Sequence, residues 1–310
     1  EERFSEALSG LEEQLADLPS FTEVDRYLLS NNDIPPEALA KLDTGKAPRS
    51  SYLSSDASKI QVFVLFGLDG VNSSDSVMLV ALDRVHQKIK LISLARDSYV
   101  FVPEFASFSK LAYSYTWGGA AMAVKNLNYN YYLNVSDYIA VDFDQLAQII
   151  DRIGGVTVNI DEDEARYLSG YPNVHVGDCL LDGETAVSYA RIRKSSATDS
   201  DRKRTGRQRE VILSILNTLQ TMPLSQYPGF VRDCLGMCAT SFEAETLLTM
   251  AAETLGQNYT VEQYFFPEGQ VDWWAGLIKE YFYYVYDLRR ASDRIYRIIY
   301  EELYISGYDD

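Results

Sequence analysis

The sequence predicts an α/β layered fold with a mixed sheet, on two observations. Three apolar, β-rich runs follow one another closely, IQVFVLFG (60–67), SVMLVAL (76–82) and IKLISLA (89–95), and the short polar loops between them make the sheet mixed. Further on, a strand-like run DYIAVDF (137–143), a helix DQLAQIIDRI (144–153) and a second run GGVTVNI (154–160) alternate, as they do where helices cover a sheet.

Ahead of these runs, Phe4, Leu8, Leu11, Leu15 and Leu18 recur at four- and three-residue steps. That spacing predicts an amphipathic helix over 2–18, either packed on its own domain or forming a short coiled-coil stem. A loop with Asn31, Asn32, Pro35 and Pro36 and a polar stretch at 48–58 follow. Residues 1–56 therefore read as helical stem and linker, and 57–310 as the main domain. Within it, a helix is expected near 120–127. Another is expected over 207–219, where Val211, Ile212, Ile215, Leu216 and Leu219 share a face. Beyond 225 the pattern predicts a helix at 242–255, an aromatic strand at 281–286 and a closing helix at 287–304.

Composition narrows the function. Of 310 residues, 46% are hydrophobic and 24% charged, as in a folded globular protein. Twenty-eight basic against 45 acidic residues leave a net charge of −17, which repels polyphosphate over most of the surface and argues against DNA or RNA as a partner. Cys179, Cys234 and Cys238, with His86 and His175, are too few for a zinc site at sensible spacing; Cys234 and Cys238 either pair or stay as buried thiols. No apolar stretch approaches the roughly 18 residues of a spanning helix. The chain opens at Glu1 without methionine, and an anchoring segment ahead of it is an expectation.

Several constellations carry chemistry. The loop between the first two runs, Gly67 to Ser76, holds Asp69 and Asp75 at a strand exit and a strand entry. They either cap turns or hold a divalent cation, magnesium being suited because it takes one or two carboxylates with phosphate oxygens and water. The third run delivers Arg96 and Asp97 to the same edge, and Lys110 follows in FSKLAYSYTWGG. Arg191 and Arg193 share a face only if their segment is extended. Arg204, Arg207 and Gln208, at i, i+3 and i+4, stack on one side of the opening turn of the 207–219 helix, where Asp199 and Asp201 are near enough to pair with the arginines. Arginine forks grip phosphate in bidentate fashion, so this basic cluster either binds an anion or forms a solvated face.

Six ordered blocks, VLFGLDG…SSDSVMLVALD, IKLISLARDSYV, SKLAYSYTWGGAAMAVKNL, DYIAVDFDQLAQIIDRIGGVTVNI, LLDGETAVSYARIRK and DSDRKRTGRQREVI, resemble the LytR-CpsA-Psr family. The resemblance runs from about 60 to 220 and, more weakly, to about 305. It implies a three-layer α/β/α domain with a central mixed sheet, membrane-anchored on the outer face of a Gram-positive-type envelope. It also implies transfer of a glycopolymer, such as wall teichoic acid or capsule, from a polyprenyl-pyrophosphate carrier to peptidoglycan through a phosphodiester, with magnesium as cofactor. Residue by residue, Asp69 and Asp75 match the family's metal-associated aspartates. Arg96 and Asp97 match its strand-terminal pair, Lys110 its loop lysine, Arg191 and Arg193 its R-x-R, and Arg204, Arg207 and Gln208 its R-x-x-R-Q. Asp69 or Asp97 is the expected general base.

The sequence departs from the family pattern at Val71 and Ser73, where arginines are usual, and at Ala95, where proline is usual. Two missing guanidinium groups remove charge-assisted contacts worth roughly 1.5–3 kcal/mol each when fully engaged. The alternative expectation is therefore a degenerate domain that binds polyprenyl phosphate or wall polymer without transferring it.

Overall fold

The computed structural model describes residues 24–42, 51–53, 55–70, 73–193, 197–255, 259–268, 271–300 and 304–306. The expected stem over 2–18 and Val71 lie outside them. Besides a short antiparallel pair, Ser51–Leu53 with Tyr304–Ser306, the strands in chain order are β1 (Ile60–Leu68), β2 (Ser74–Asp83), β3 (Lys88–Leu94), β4 (Tyr99–Val102), β5 (Ser107–Lys110), β6 (Tyr138–Asp142), β7 (Val156–Ile160), β8 (Gly177–Leu181), β9 (Ala239–Thr240), β10 (Thr260–Phe266), β11 (Trp273–Ile278) and β12 (Tyr281–Tyr286). The longer helices are α1 (Tyr113–Tyr131), α2 (Phe143–Arg152), α3 (Glu162–Tyr167), α4 (Gly183–Arg191), α5 (Ala197–Thr221), α6 (Tyr227–Leu235), α7 (Ala244–Leu255) and α8 (Leu288–Tyr300). The chain divides into two compact units, Glu1–Tyr138 with Tyr264–Asp310, and Ile139–Gln263.

In the first unit, β1, β2 and β3 form the antiparallel meander expected from the three apolar runs. Nine of the ten residues of β2 are buried, which is why it reads as an unbroken apolar run rather than an alternating one. The β2–β3 register pairs Val77 with Leu94 and Asp83 with Lys88. Continued past the strand ends, it sets Asp75 opposite Arg96. Tyr99 pairs with Lys110 in the β4–β5 hairpin, and β11 and β12 form a second hairpin, Trp273 opposite Tyr286. Helix α1 is longer than the expected 120–127 stretch and breaks at Gly118 and Gly119, the latter at φ 61°, a backbone region open to glycine. Residues 24–42, expected to be stem and linker, contribute Val24, Leu28, Leu29, Ile34 and Ala38 to this unit's buried clusters.

The second unit is built on helix caps and one tight contact. Asp142 and Gln145 close a capping box on α2, Asp161 and Glu164 close another on α3, and Asp182 caps α4. Strands β7 and β8 pair antiparallel, Val156 opposite Leu181, with inward residues alternating along β7. Gly183 opens α4 against α2 so closely that a Cβ there would lie 2.1 Å from the Ala147 carbonyl oxygen. Helix α5 begins at Ala197, ten residues before the expected start at 207. The basic cluster at 204–208 therefore lies inside the helix and not at its opening turn.

A buried ion pair ties the first unit's C-terminal helix to its sheet. Lys90 is fully buried; its Nζ lies 3.1 Å from Asp83 Oδ2 and donates to the Ile299 carbonyl near the end of α8 at 2.9 Å. Asp83 Oδ1 also accepts the Val85 and His86 backbone N–H groups, and His86 Nδ1 lies 2.8 Å from Oδ2. Burial pushes the Asp83 carboxyl up, but the His86 hydrogen bonds and Lys90 outweigh it and hold the group below its ordinary 3.8. A lowered folded-state value stabilises above the unfolded-state pKa and is lost as pH falls through the folded one. Thermal midpoints taken from about pH 6 down to about pH 3 are expected to fall more steeply in the wild type than in Asp83→Asn, which starts lower at neutral pH. Equal slopes would show that this carboxylate does not carry the acid limb.

Candidate functional site

The β2–β3 register brings together four of the residues marked in the sequence. Arg96, just past the end of β3, pairs with the Asp75 carboxylate at the start of β2, and its Nε lies 3.6 Å from Asp97 Oδ2. Lys110 at the end of β5 closes the series, with Nζ 2.6 Å from Asp97 Oδ1. The charges alternate along Asp75, Arg96, Asp97 and Lys110. Asp75 and Asp97 are buried, so this is no ordinary surface ion pair of the kind worth little. Backbone bonds pin the segment: the Asp97 carbonyl accepts from Tyr284 N at 2.9 Å, and the Arg96 carbonyl from Ala112 N at 3.0 Å. Behind it, Ser98 Oγ bonds the Ala95 carbonyl and the Tyr286 hydroxyl, which also meets the Tyr131 hydroxyl at 2.6 Å.

Tyrosines wall off the lysine end. The Lys110 ammonium sits 5.9, 5.7 and 5.4 Å from the ring centres of Tyr113, Tyr281 and Tyr283, within reach of the attraction between a cation and a ring face. Burial, then Tyr281 and Asp97, push the Tyr113 phenol up to about 12, so at neutral pH it is a proton donor in hydrogen bonds and not a base.

Asp69 stands in the same unit, one residue beyond β1. Its Oδ1 accepts the Ser73 backbone N–H at 2.8 Å while its own N–H bonds the Ser73 carbonyl at 2.9 Å, the turn-capping arrangement. Among the described residues no three His, Cys, Asp or Glu side chains come together as a metal cage. Of the two carboxylates expected to hold magnesium, Asp69 accepts a backbone N–H and Asp75 pairs with Arg96.

The remaining marked residues belong to the second unit. Arg191 is the last residue of α4, its guanidinium 4.4 Å from the centre of the Phe143 ring, and Ile192, fully buried, turns the chain before the exposed Arg193. The chain leaves the helix at Ile192 (φ −54°, ψ 125°), so Arg191 and Arg193, both exposed, flank a buried residue as an extended segment requires. Arg204 and Arg207 are buried and Gln208 half-buried. Arg207 Nε donates to Glu164 Oε1 at 2.6 Å and its second nitrogen to the Ile192 carbonyl at 3.0 Å. Arg207 and Glu164 border an open cleft of about 470 Å³ that Arg202, Lys203, Arg209, Tyr189 and Glu210 also line, and that Arg204 and Gln208 do not. The side chains of Asp199 and Asp201 lie outside the described residues. Cys179 is buried, Cys234 and Cys238 are half-buried, and all three are free thiols. Sequence reasoning missed Tyr113, Tyr281, Tyr283 and Glu164. Only Glu164 carries a local signal, the D-x-x-E capping box with Asp161. No described helix is long and apolar enough to cross a membrane.

The sequence matches the model of the LytR_cpsA_psr family over residues 38–296. It is 28% identical over 227 residues to the polyisoprenyl-teichoic acid–peptidoglycan teichoic acid transferase TagU of Oceanobacillus iheyensis, covering 71% of this chain and 69% of that protein. Against the protein of the same name from Enterococcus faecalis, 30% identical over 149 residues, it spans about half of either chain, 48%. Among solved structures, TagT bound to LI-WTA superposes with a TM-score of 0.66 at 18% identity, over 84% of this chain and 99% of that one. That likeness shows the fold: the α/β fold with a mixed central sheet expected from the sequence.

Glu164 is expected to matter through Arg207. Replacing it by alanine leaves a buried guanidinium without its carboxylate and is expected to cost about 3–5 kcal/mol in urea unfolding. The double variant Glu164→Leu with Arg207→Met is expected to recover most of that loss. Additive losses would show that the pair is not coupled.

Proposed function

The chain belongs to the LytR-CpsA-Psr family, and on that footing we propose that it transfers a glycopolymer from a polyprenyl-pyrophosphate carrier to peptidoglycan at the cell envelope, outside the membrane. The observation that carries the reading is the buried alternation of Asp75, Arg96, Asp97 and Lys110, four residues that the family pattern marks and that the fold brings side by side. Support also comes from the relatives named as teichoic acid transferases and from a TagT structure with bound octaprenyl pyrophosphate lipid.

In this reading a sugar hydroxyl of peptidoglycan attacks the phosphorus that bears the polymer. The bond from that phosphorus to the polyprenyl phosphate breaks, and polyprenyl phosphate leaves. A carboxylate, Asp97 or Asp69, takes the hydroxyl proton as the new phosphodiester forms. Arg96 and Lys110 are assigned to the pyrophosphate, where fixed cations stabilise the charge that grows on the leaving group; for Arg191, Arg193, Arg204, Arg207 and Gln208 a phosphate-binding role is what the family pattern implies. Asp69 and Asp75 would hold magnesium, which when bound neutralises phosphate charge as a Lewis acid.

Purified chain, magnesium, peptidoglycan and a pyrophosphate-linked polyprenyl donor are expected to yield polyprenyl phosphate, and omission of peptidoglycan or chelation to stop the release. Asp75→Ala and Arg193→Ala are each expected to slow it by about 100-fold, the scale of losing one transition-state contact. Tight lipid binding with no release from any donor would replace this reading with the non-catalytic one. Release that proceeds equally without peptidoglycan would point to hydrolysis.

The double variant Val71→Arg with Ser73→Arg tests the departures from the family pattern. A gain in turnover of about tenfold or more is expected if the absent guanidinium groups are deficits, given the worth of a charge-assisted contact. Unchanged turnover would show that other groups supply the charge.

A further inference from the structure

Tyr27 lies ahead of the residues that match the family model, in the stretch the sequence assigns to stem and linker, yet it is built into the wall around Lys110. Its ring meets Tyr113 at 5.0 Å between centres and Tyr281 at 5.8 Å, and these are two of the three rings that surround the Lys110 ammonium. The backbone holds it there. Leu29 and Phe108 exchange both of their hydrogen bonds, at 2.7 and 3.1 Å, so residues around 29 lie along β5, the strand that ends in Lys110. Ser109 Oγ donates to the Tyr27 carbonyl at 2.7 Å, and Ser107 Oγ to the Leu29 carbonyl at 2.8 Å. Behind the ring, Val24 and Leu28 anchor the segment among Val102, Trp117 and Met122.

We infer that Tyr27 is a positioning residue: its ring backs Tyr113 and Tyr281 and so keeps the Lys110 ammonium on Asp97. The physical need is plain. A lysine ends a flexible four-carbon stem, and it stays on one carboxylate oxygen only where neighbouring groups exclude its other rotamers. Tyr113 and Tyr281 do this from two sides, and Tyr27 stops both rings from swinging outward. Asp97 is thereby held in a single orientation for its proton-accepting or headgroup role. The inference rests on the proposed function for its catalytic consequence, but not for its structural one.

Two readouts on the full chain test it, with Tyr27→Ala, Tyr27→Leu and Tyr27→Phe as variants. The first is the rate of reductive methylation of Lys110, followed by peptide mass spectrometry. It is expected to rise about tenfold in Tyr27→Ala and Tyr27→Leu, the scale of one desolvated cation–ring contact, and to stay at the wild-type rate in Tyr27→Phe. The second is polyprenyl phosphate release. Its kcat is expected to drop about tenfold in Tyr27→Ala and Tyr27→Leu, with KM for the donor unchanged and full recovery in Tyr27→Phe. Tyr27→Leu keeps the apolar volume and serves where alanine fails to fold. Unaltered Lys110 methylation in both ring-deleting variants overturns the inference, as does faster methylation with kcat unaffected. A wild type that releases nothing counts against the proposed reaction alone, and the methylation rates then decide the wall by themselves.

Discussion

The register between β2 and β3 is the constraint on which the site depends. Antiparallel pairing of Val77 with Leu94 carries Asp75 to face Arg96. A slip of one residue would turn every side chain of a strand to its opposite face. The heavily buried β2 makes such a slip very costly, so apolar packing in the sheet interior sets the charge geometry at its edge. The resulting series is electrically balanced, two carboxylates against two cations. It is therefore stable as it stands, and an anionic headgroup that reaches Arg96 must compete with Asp75 for it.

Much of this was legible in the sequence, for physical reasons that also mark where legibility ends. Three dense apolar runs with short links predict the meander, and each is found within two residues of its expected bounds. Arg96 and Asp97 were visible because they end a strand. Their partners were visible only as candidates, since register is a property of pairs of strands. The tyrosine wall was not legible at all: Tyr27, Tyr113 and Tyr281 are far apart in the chain, and no local pattern distinguishes them from the 20 other tyrosines.

The second unit shows the limit of spacing rules. Spacing alone could not say where α4 ends: Arg191 is still helical, and the chain turns non-helical only at the buried Ile192. The early start of helix α5 is not legible because the polar stretch before 207 lacks the apolar periodicity by which a helix start is recognised, although its alanine, lysine and arginines are good helix formers. Arg207 illustrates a further point. In a chain of net charge −17, a buried arginine is held by a specific carboxylate, Glu164, which the capping box of α3 has already fixed in place.

The bond from Lys90 to Ile299 spans 209 positions of the chain. A ribosome or export channel delivers the lysine long before its acceptor carbonyl. Until α8 arrives, the first unit's sheet holds an ammonium whose burial is only half compensated, and closing it early would be penalised. The second unit is one continuous stretch and is complete while the C-terminal strands and helix of the first are still to come. The inserted unit thus has all its residues before α8 is made, while the unit that carries the charge series lacks the Lys90 acceptor until α8 has emerged.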